Sequence, residues 1–413
     1  MAPHRFPMTS RLRAPRAIVF SPNGPCYKTS VSLGEVLDEA RRIATTTVRE
    51  NSASVDEHRT WPEAAFRALQ AVGLGGLVVP REAGGRGHGL LAVARVCDIL
   101  GRECASTAIS FGMHLVASAV IAAKATPTQR SAYLEPIARG EHITTLALSE
   151  PGTGAHFYLP QSTIADVDGR YLVSGTKSFV TNGGFADSYV VSAVPSRDDA
   201  APGEFSCVMV HRDAKGLSWT GDWQGWGMRG NAARSAHLSE VSVPRSDLLG
   251  DEGDQIWFVF NVIAPFFLMA MAGTYLGVAS AALDHARDHL TNRMHAHTGS
   301  SLAENQLLQH RLGELWARVQ RTRALIFDAA RMGDESDPDA LLALCAAKAE
   351  VADTAERVTA DAMTLVGGRG YATGHPLHRL YRDARAAHVM SPTTDLLRIW
   401  TGRAYLGLPL LGD

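Results

Sequence analysis

The sequence predicts an α+β protein, mostly α, in three blocks: an N-terminal helical domain, a middle β-barrel domain and a C-terminal four-helix bundle. Three observations predict it. Residues 33–140 carry apolar side chains at helical spacing, rich in Ala, Leu and Arg, with glycine-rich breaks between runs. Residues 141–250 change to short β-branched or alternating runs bounded by Gly, Asp and Pro. From 251 to 413 long helical patterns return, enough for a packed bundle.

Each block resolves into elements. In the first, helices are expected over 33–49, 62–72, 88–104 and 127–139, with Glu82-Ala-Gly-Gly-Arg-Gly87 as one of the breaks. In the second, strands are expected over 143–149, 171–181, 188–193, 205–211 and 235–243. In the third, helices are expected near 254–291, 302–332, 338–366 and 393–408. Residues 1–32 form a basic extension with several prolines and no long apolar run, expected to be disordered; a targeting peptide is the competing reading.

One stretch tests the soluble reading. Ile256–Leu283 contains no charged residue and is long enough to cross a bilayer. Asn261 and Pro265 interrupt it, and the helices that follow are long enough to cover it, so it is expected to be the buried centre of the bundle.

Composition narrows the function. The 413 residues suffice for a large core, and 40 Lys+Arg against 42 Asp+Glu give no pull toward nucleic acid or an anionic membrane. Five scattered cysteines with no C-x-x-C pair argue against a disulfide framework or a zinc site and fit a cytoplasmic location. No metal is expected, because the 16 histidines form no ligand motif. The glycines of Gly367-Gly-Arg-Gly-Tyr-Ala-Thr-Gly374 lack G-x-G-x-x-G spacing and follow a helix, which disfavours a nicotinamide enzyme. G-x-S-x-G is absent, removing the commonest acyl-hydrolase signature.

Two segments are more informative. Leu148-Ser-Glu-Pro-Gly-Thr-Gly154 ends a strand in a loop whose glycines allow backbone amides close to a ligand. Gly175-Thr-Lys-Ser-Phe-Val-Thr-Asn-Gly-Gly184 is a second strand ending in a Gly-Gly turn; alternation puts Phe179 and Thr181 on one face. With Val79-Pro-Arg-Glu-Ala-Gly-Gly-Arg-Gly87, Trp226-Gly-Met-Arg-Gly230, Leu238–Pro244, Gly367–Tyr371 and Arg382-Asp-Ala-Arg385, in this order, they resemble the acyl-CoA dehydrogenase family from about residue 33 onward.

The resemblance implies that fold and a non-covalent FAD between the β-domain and the bundle. It implies flavin contacts from Leu148, Ser149, Gly154, Ala155, Phe179 and Thr181, with Phe179 on the ring and Thr181 at N5. It places Arg293, Gln306, Gly367, Gly368 and Gly370 at the adenine half of a neighbouring subunit's cofactor, hence a homodimer or homotetramer, and adds Thr393 and Asp395 to the cofactor set. The implied partners are an acyl thioester and an electron acceptor, either an electron-transfer flavoprotein or oxygen.

The family pattern fails at the base. The position of the family's glutamate falls on Ser391, whose hydroxyl is too weak a base alone. The alternative glutamate position on the first bundle helix falls on Phe267, the neighbouring arginine on Leu268, and both, with Met390, are expected to face the substrate. In the β-domain loop Ala155-His156 replaces Ser-Asp. His388 and Asp395, one helical turn either side of Ser391, and His156 are candidates for a relocated base. A flavin monooxygenase or oxidase on the same fold is the alternative, and a non-catalytic FAD-binding relative a third.

Overall fold

A computed structural model describes residues 31–411 except 198 and 202. The expectation for the basic extension falls on residues 1–30, outside the described residues.

Ser32 opens the first helix with a capping box: its hydroxyl accepts from the Glu35 N–H, and the Glu35 carboxylate accepts from the Ser32 N–H. α1 (Leu33–Ile43) continues through a π-helical turn into α2 (Arg49–Glu57), followed by α3 (Glu63–Ala71), α4 (Leu90–Glu103) and α5 (Ala105–Ala123). The short α6 (Pro127–Gln129) and α7 (Glu135–Ala138) complete this block. The helical periodicity does not predict α5. Every residue from Ala105 to Ile121 is buried, so the helix has no polar face to betray its period.

The β-region comprises β1 (Thr144–Ala147), β2 (Thr163–Val167), β3 (Arg170–Val180), β4 (Ser188–Pro195), β5 (Ser206–His211), β6 (Leu217–Thr220), β7 (Arg234–Pro244) and β8 (Leu248–Leu249). Its order is β6-β7-β3-β2-β4-β5-β8, with β1 parallel to β4. β6 and β8 end this path without pairing to each other, so the expected barrel is open. β2, β6 and β8 are additions to the predicted strands; all three are short and partly exposed. Ile164, Val173, Val191, Val208 and Val241 fill the interior.

The third block contains α8 (Gln255–Phe258), a π-helical turn, α9 (Ala264–Asn292), α10 (Gln306–Asp334), α11 (Ala340–Val366), the short α12 (Gly368–Tyr371), α13 (Pro376–Val389) and α14 (Thr394–Tyr405). α9 is the hub, touching α4, α5, α10, α11 and α13. Glycine makes this possible: a Cβ on Gly273 would lie 2.1 Å from the Ala94 carbonyl oxygen and one on Gly277 2.3 Å from that of Asp98. Two helices, Ala105–Ala123 and Gln255–Asn292, are long and apolar enough to cross a membrane, and both are largely buried within the protein. α13 joins the four predicted bundle helices, with Pro376 at its first position, where a missing N–H costs nothing.

The Arg382-Asp383 step of α13 ties the three blocks together. Arg382 pairs with Asp56 of α2 and donates to the Trp226 carbonyl at 2.7 Å, while Asp383 accepts the Met228 N–H at 2.7 Å.

Candidate active site

β1 leads into the loop 148–161, whose two ends are held by one carboxylate. Glu150 accepts the N–H of Gln161 at 2.8 Å and of Ser162 at 3.0 Å, and lies 2.5 Å from the ammonium of Lys177 on β3. Lys177 is fully buried and also donates to the Ser192 carbonyl at 2.6 Å. Burial alone would raise the Glu150 carboxyl, but Lys177 and the Ser162 N–H outweigh it and hold the group below its usual value. The Ser178 N–H donates to the Ser149 carbonyl at 2.7 Å, so Ser149 and the end of β3 move as a unit.

Within this loop Leu148 is buried, Ala155 half-buried, and Gly154 exposed with φ +54° and nothing within 4 Å of an added Cβ. His156 is exposed, its ring edge-on to Tyr158 at 5.8 Å. Tyr158 itself packs inward between Phe260 and Trp400.

At the end of β3 the pleat breaks. The β3–β7 register shifts between Lys177 and Val180, and Phe179 has φ +55°. Simple alternation therefore does not relate Phe179 to Thr181. Instead the bulge turns the Phe179 ring outward, 68% exposed, with its edge against Trp223, while Thr181 is 8% exposed. A left-handed backbone on a bulky residue costs on the order of 1–3 kcal/mol and clusters at functional sites. Among the described residues neither the Ser149 nor the Thr181 hydroxyl has a protein hydrogen-bond partner.

The turn between α13 and α14 carries the next group. Ser391 is half-buried, and among the described residues its hydroxyl has no protein partner. Tyr275 donates to the sulfur of Met390 at 2.9 Å. His388 lies between Glu356, 3.0 Å from Nε2, and Thr394, 3.2 Å from Nδ1. Asp395 is turned to solvent and lies 3.7 Å from Arg398, so it does not share a water-excluded site with Ser391. Thr393 serves as the N-cap of α14, accepting from the Leu396 N–H.

Beneath this turn is a residue that motif reading passes over. Lys348 of α11 is fully buried, and burial pushes its ammonium down to about 7. Lys348 is visible in the sequence only as a charge in an otherwise apolar run, and Glu150 and Lys177 lie within the two quoted motifs without any sign there that they pair.

The remaining predicted contacts divide. Phe267 is half-buried, but Leu268 is fully enclosed in the core and offers no surface to a substrate. Arg293 and Gln306 are exposed at the two ends of the α9–α10 loop. Gly367 and Gly368 are open, with nothing within 4 Å of an added Cβ, whereas a Cβ on Gly370 would lie 2.9 Å from Val366, making Gly370 a packing glycine. Clefts of about 630 and 520 Å³ run along α10 and touch none of Ser149, Phe179, Thr181 or Ser391.

Comparison with known proteins gives this arrangement a context. Three family models match in order: the acyl-CoA dehydrogenase N-terminal domain over residues 33–141, its middle domain over 145–241 and its C-terminal domain over 268–406. Cyclohex-1-ene-1-carbonyl-CoA dehydrogenase of Geobacter metallireducens is 30% identical over 372 residues, covering 90% of this chain and 97% of its own. The chain belongs to the acyl-CoA dehydrogenase family. Butyryl-CoA dehydrogenase from Megasphaera elsdenii shares the fold with a TM-score of 0.86 at 23% identity, covering 92% of this chain and 100% of that one. A prolyl acyl carrier protein oxidase does so with a TM-score of 0.82 at 23% identity, covering 91% and 99%.

Acyl-CoA dehydrogenases are FAD flavoproteins, and this chain is an FAD-dependent oxidoreductase of that family. The residues present fit a flavin. Phe179 offers an exposed aromatic face, Ser149 and Thr181 offer two hydroxyls without protein partners, and Gly154 leaves its backbone open to a ligand.

Proposed function

We propose that this acyl-CoA dehydrogenase family member oxidises the Cα–Cβ bond of an acyl thioester, with an unusual group taking the α-proton. The observation that carries the reading is the Phe179 ring, held outward on a left-handed backbone beside the unpartnered Ser149 and Thr181 hydroxyls. Bound FAD supplies the hydride acceptor. Ser149, Phe179 and Thr181 hold its ring, and Leu148, Gly154 and Ala155 line the approach to it.

The chain's own residues must take the α-proton. Ser391 cannot do so alone. Of the candidates, His388 is the one with a carboxylate partner, Glu356 at 3.0 Å from Nε2; because its Nδ1 faces Thr394, one of these two contacts must open before the ring can take a proton. Met390 and Phe267 flank the acyl chain. With an apolar side chain at Leu268, recognition of the thioester's carrier, CoA or carrier protein, relies on other residues.

A homodimer or homotetramer is the proposed assembly, since Leu307 and Trp316 on α10, Ile399 and Tyr405 on α14 and Leu406 just after it expose apolar surface. Arg293, Gln306, Gly367 and Gly368 would then reach a neighbour's cofactor. The cysteines at 97, 104, 207 and 345 are buried free thiols, in keeping with a reducing cytoplasm.

Anaerobic mixing of the FAD-loaded protein with butyryl-CoA and with butyryl carrier protein tests this. Bleaching of the flavin by either supports thioester oxidation. Bleaching only by an external flavin reductase, followed by substrate-dependent oxygen uptake, replaces it with a monooxygenase.

A further inference from the structure

We propose that Lys348 is a positioning residue for the oxidation, fixing the turn that presents Met390 and Ser391; this role rests on the function proposed above. The Lys348 ammonium reaches from α11 and donates to three main-chain carbonyls: Ala387 at 2.9 Å, Met390 at 3.2 Å and Pro392 at 2.8 Å. All three of its donors go into one six-residue stretch, from the last turn of α13 to the turn before α14.

A buried cation without a counter-ion is an expensive way to fill space. Among the described residues Lys348 has no carboxylate within salt-bridge reach, and its side chain is fully enclosed. An apolar side chain of similar length would fill the volume without the desolvation cost. What only the ammonium can do is collect three carbonyls into one tetrahedral arrangement, at a helix C-terminus where positive charge is favoured.

The other contacts on the turn point the same way. His388 is held between Glu356 and Thr394, and Met390 accepts from Tyr275 at 2.9 Å. The chain is thus tied at 387, 388, 390 and 392, while the Ser391 side chain between these ties has no protein partner among the described residues. Such a rigid frame keeps the turn, and with it His388, Met390 and Ser391, at a fixed distance from a reacting carbon.

The test compares Lys348→Met with Lys348→Arg by hydrogen–deuterium exchange, in both FAD-loaded and flavin-free protein, and by anaerobic flavin reduction with butyryl-CoA. In Lys348→Met, amides of 387–394 should exchange at least about tenfold faster while those of β3 and α9 keep wild-type protection. Lys348→Arg, which keeps a cationic donor, should recover part of that protection. The limiting rate of flavin reduction should fall about 100-fold, the order expected from misplacing a catalytic group. Half-saturation should move less than about threefold, since substrate binding is not what the clamp controls. Unchanged exchange at 387–394, or acceleration spread evenly over the bundle, would overturn the proposal. So would a raised half-saturation with an unaltered limiting rate. If butyryl-CoA leaves the wild-type flavin oxidised, the function proposed above fails on its own, and the exchange comparison still decides the role of Lys348.

Discussion

Glu150 and Lys177 stand 2.5 Å apart at the root of the flavin loop, both withdrawn from solvent, and each also binds main chain from a different segment. Removing one partner leaves the other buried and unpaired, at a cost of about 3–5 kcal/mol. Lys177→Met should lower the unfolding free energy by that amount and release FAD on gel filtration. Adding Glu150→Leu should restore part of the stability without restoring flavin. Urea titration and the 450 nm absorbance of the desalted protein check both expectations.

Phe179 and Thr181 carry the flavin placement. Phe179→Ala removes a stacking face worth roughly 0.5–1.5 kcal/mol, so FAD affinity should drop by about two- to thirteenfold. Thr181→Ala should shift the flavin absorbance bands. Equilibrium dialysis and a visible spectrum read these effects, and wild-type values for both variants would remove the ring from this corner.

His388 and Ser391 divide the question of the base. His388→Ala should slow flavin reduction by butyryl-CoA about 100-fold, the typical effect of losing a general base. Ser391→Glu, which returns a carboxylate to the family's position, should speed it by a comparable factor. Stopped-flow traces of the two variants separate a relocated base from no base at all.

Asp56 and Arg382 form a buried pair joining α2 to α13, and Arg382 also grips the Trp226 carbonyl. Asp56→Ala should cost about 3–5 kcal/mol, because the guanidinium stays buried without its carboxylate. A thermal melt that keeps the wild-type midpoint would show that the pair contributes nothing net.

His114 sets an acid limit. Its Nδ1 accepts the Thr144 N–H at 3.2 Å and its Nε2 faces the Gly75 carbonyl at 3.1 Å, a geometry for the neutral ring. Burial pushes its pKa down to about 4, whereas the unfolded chain titrates near the ordinary value of 6.5. Between these values the unfolded state binds the extra proton, so stability is present above about pH 6.5 and is lost as pH falls toward 4. The loss reaches about 3 kcal/mol at most. Denaturation midpoints for wild type and His114→Gln between pH 4.5 and 7.5 check it; the variant should lose this part of the slope.

The sequence by itself determined the three-block order, most of the long amphipathic helices and, through Leu148–Gly154, Gly175–Gly184 and the Arg382-Asp383 step, the family. These features are local: periodicity and short motifs survive without knowing what packs against what. α5 escaped because a helix buried on every side has no polar face. The strand bulge that exposes Phe179 escaped because a register shift belongs to the pairing of β3 with β7, not to either strand alone. Only the tertiary structure decided that Asp395 faces water, that Leu268 is sealed in the core, and that Lys348 closes on the turn around Ser391. Each depends on groups up to hundreds of residues apart, where burial and hydrogen-bond geometry, rather than residue type, determine what a side chain can do.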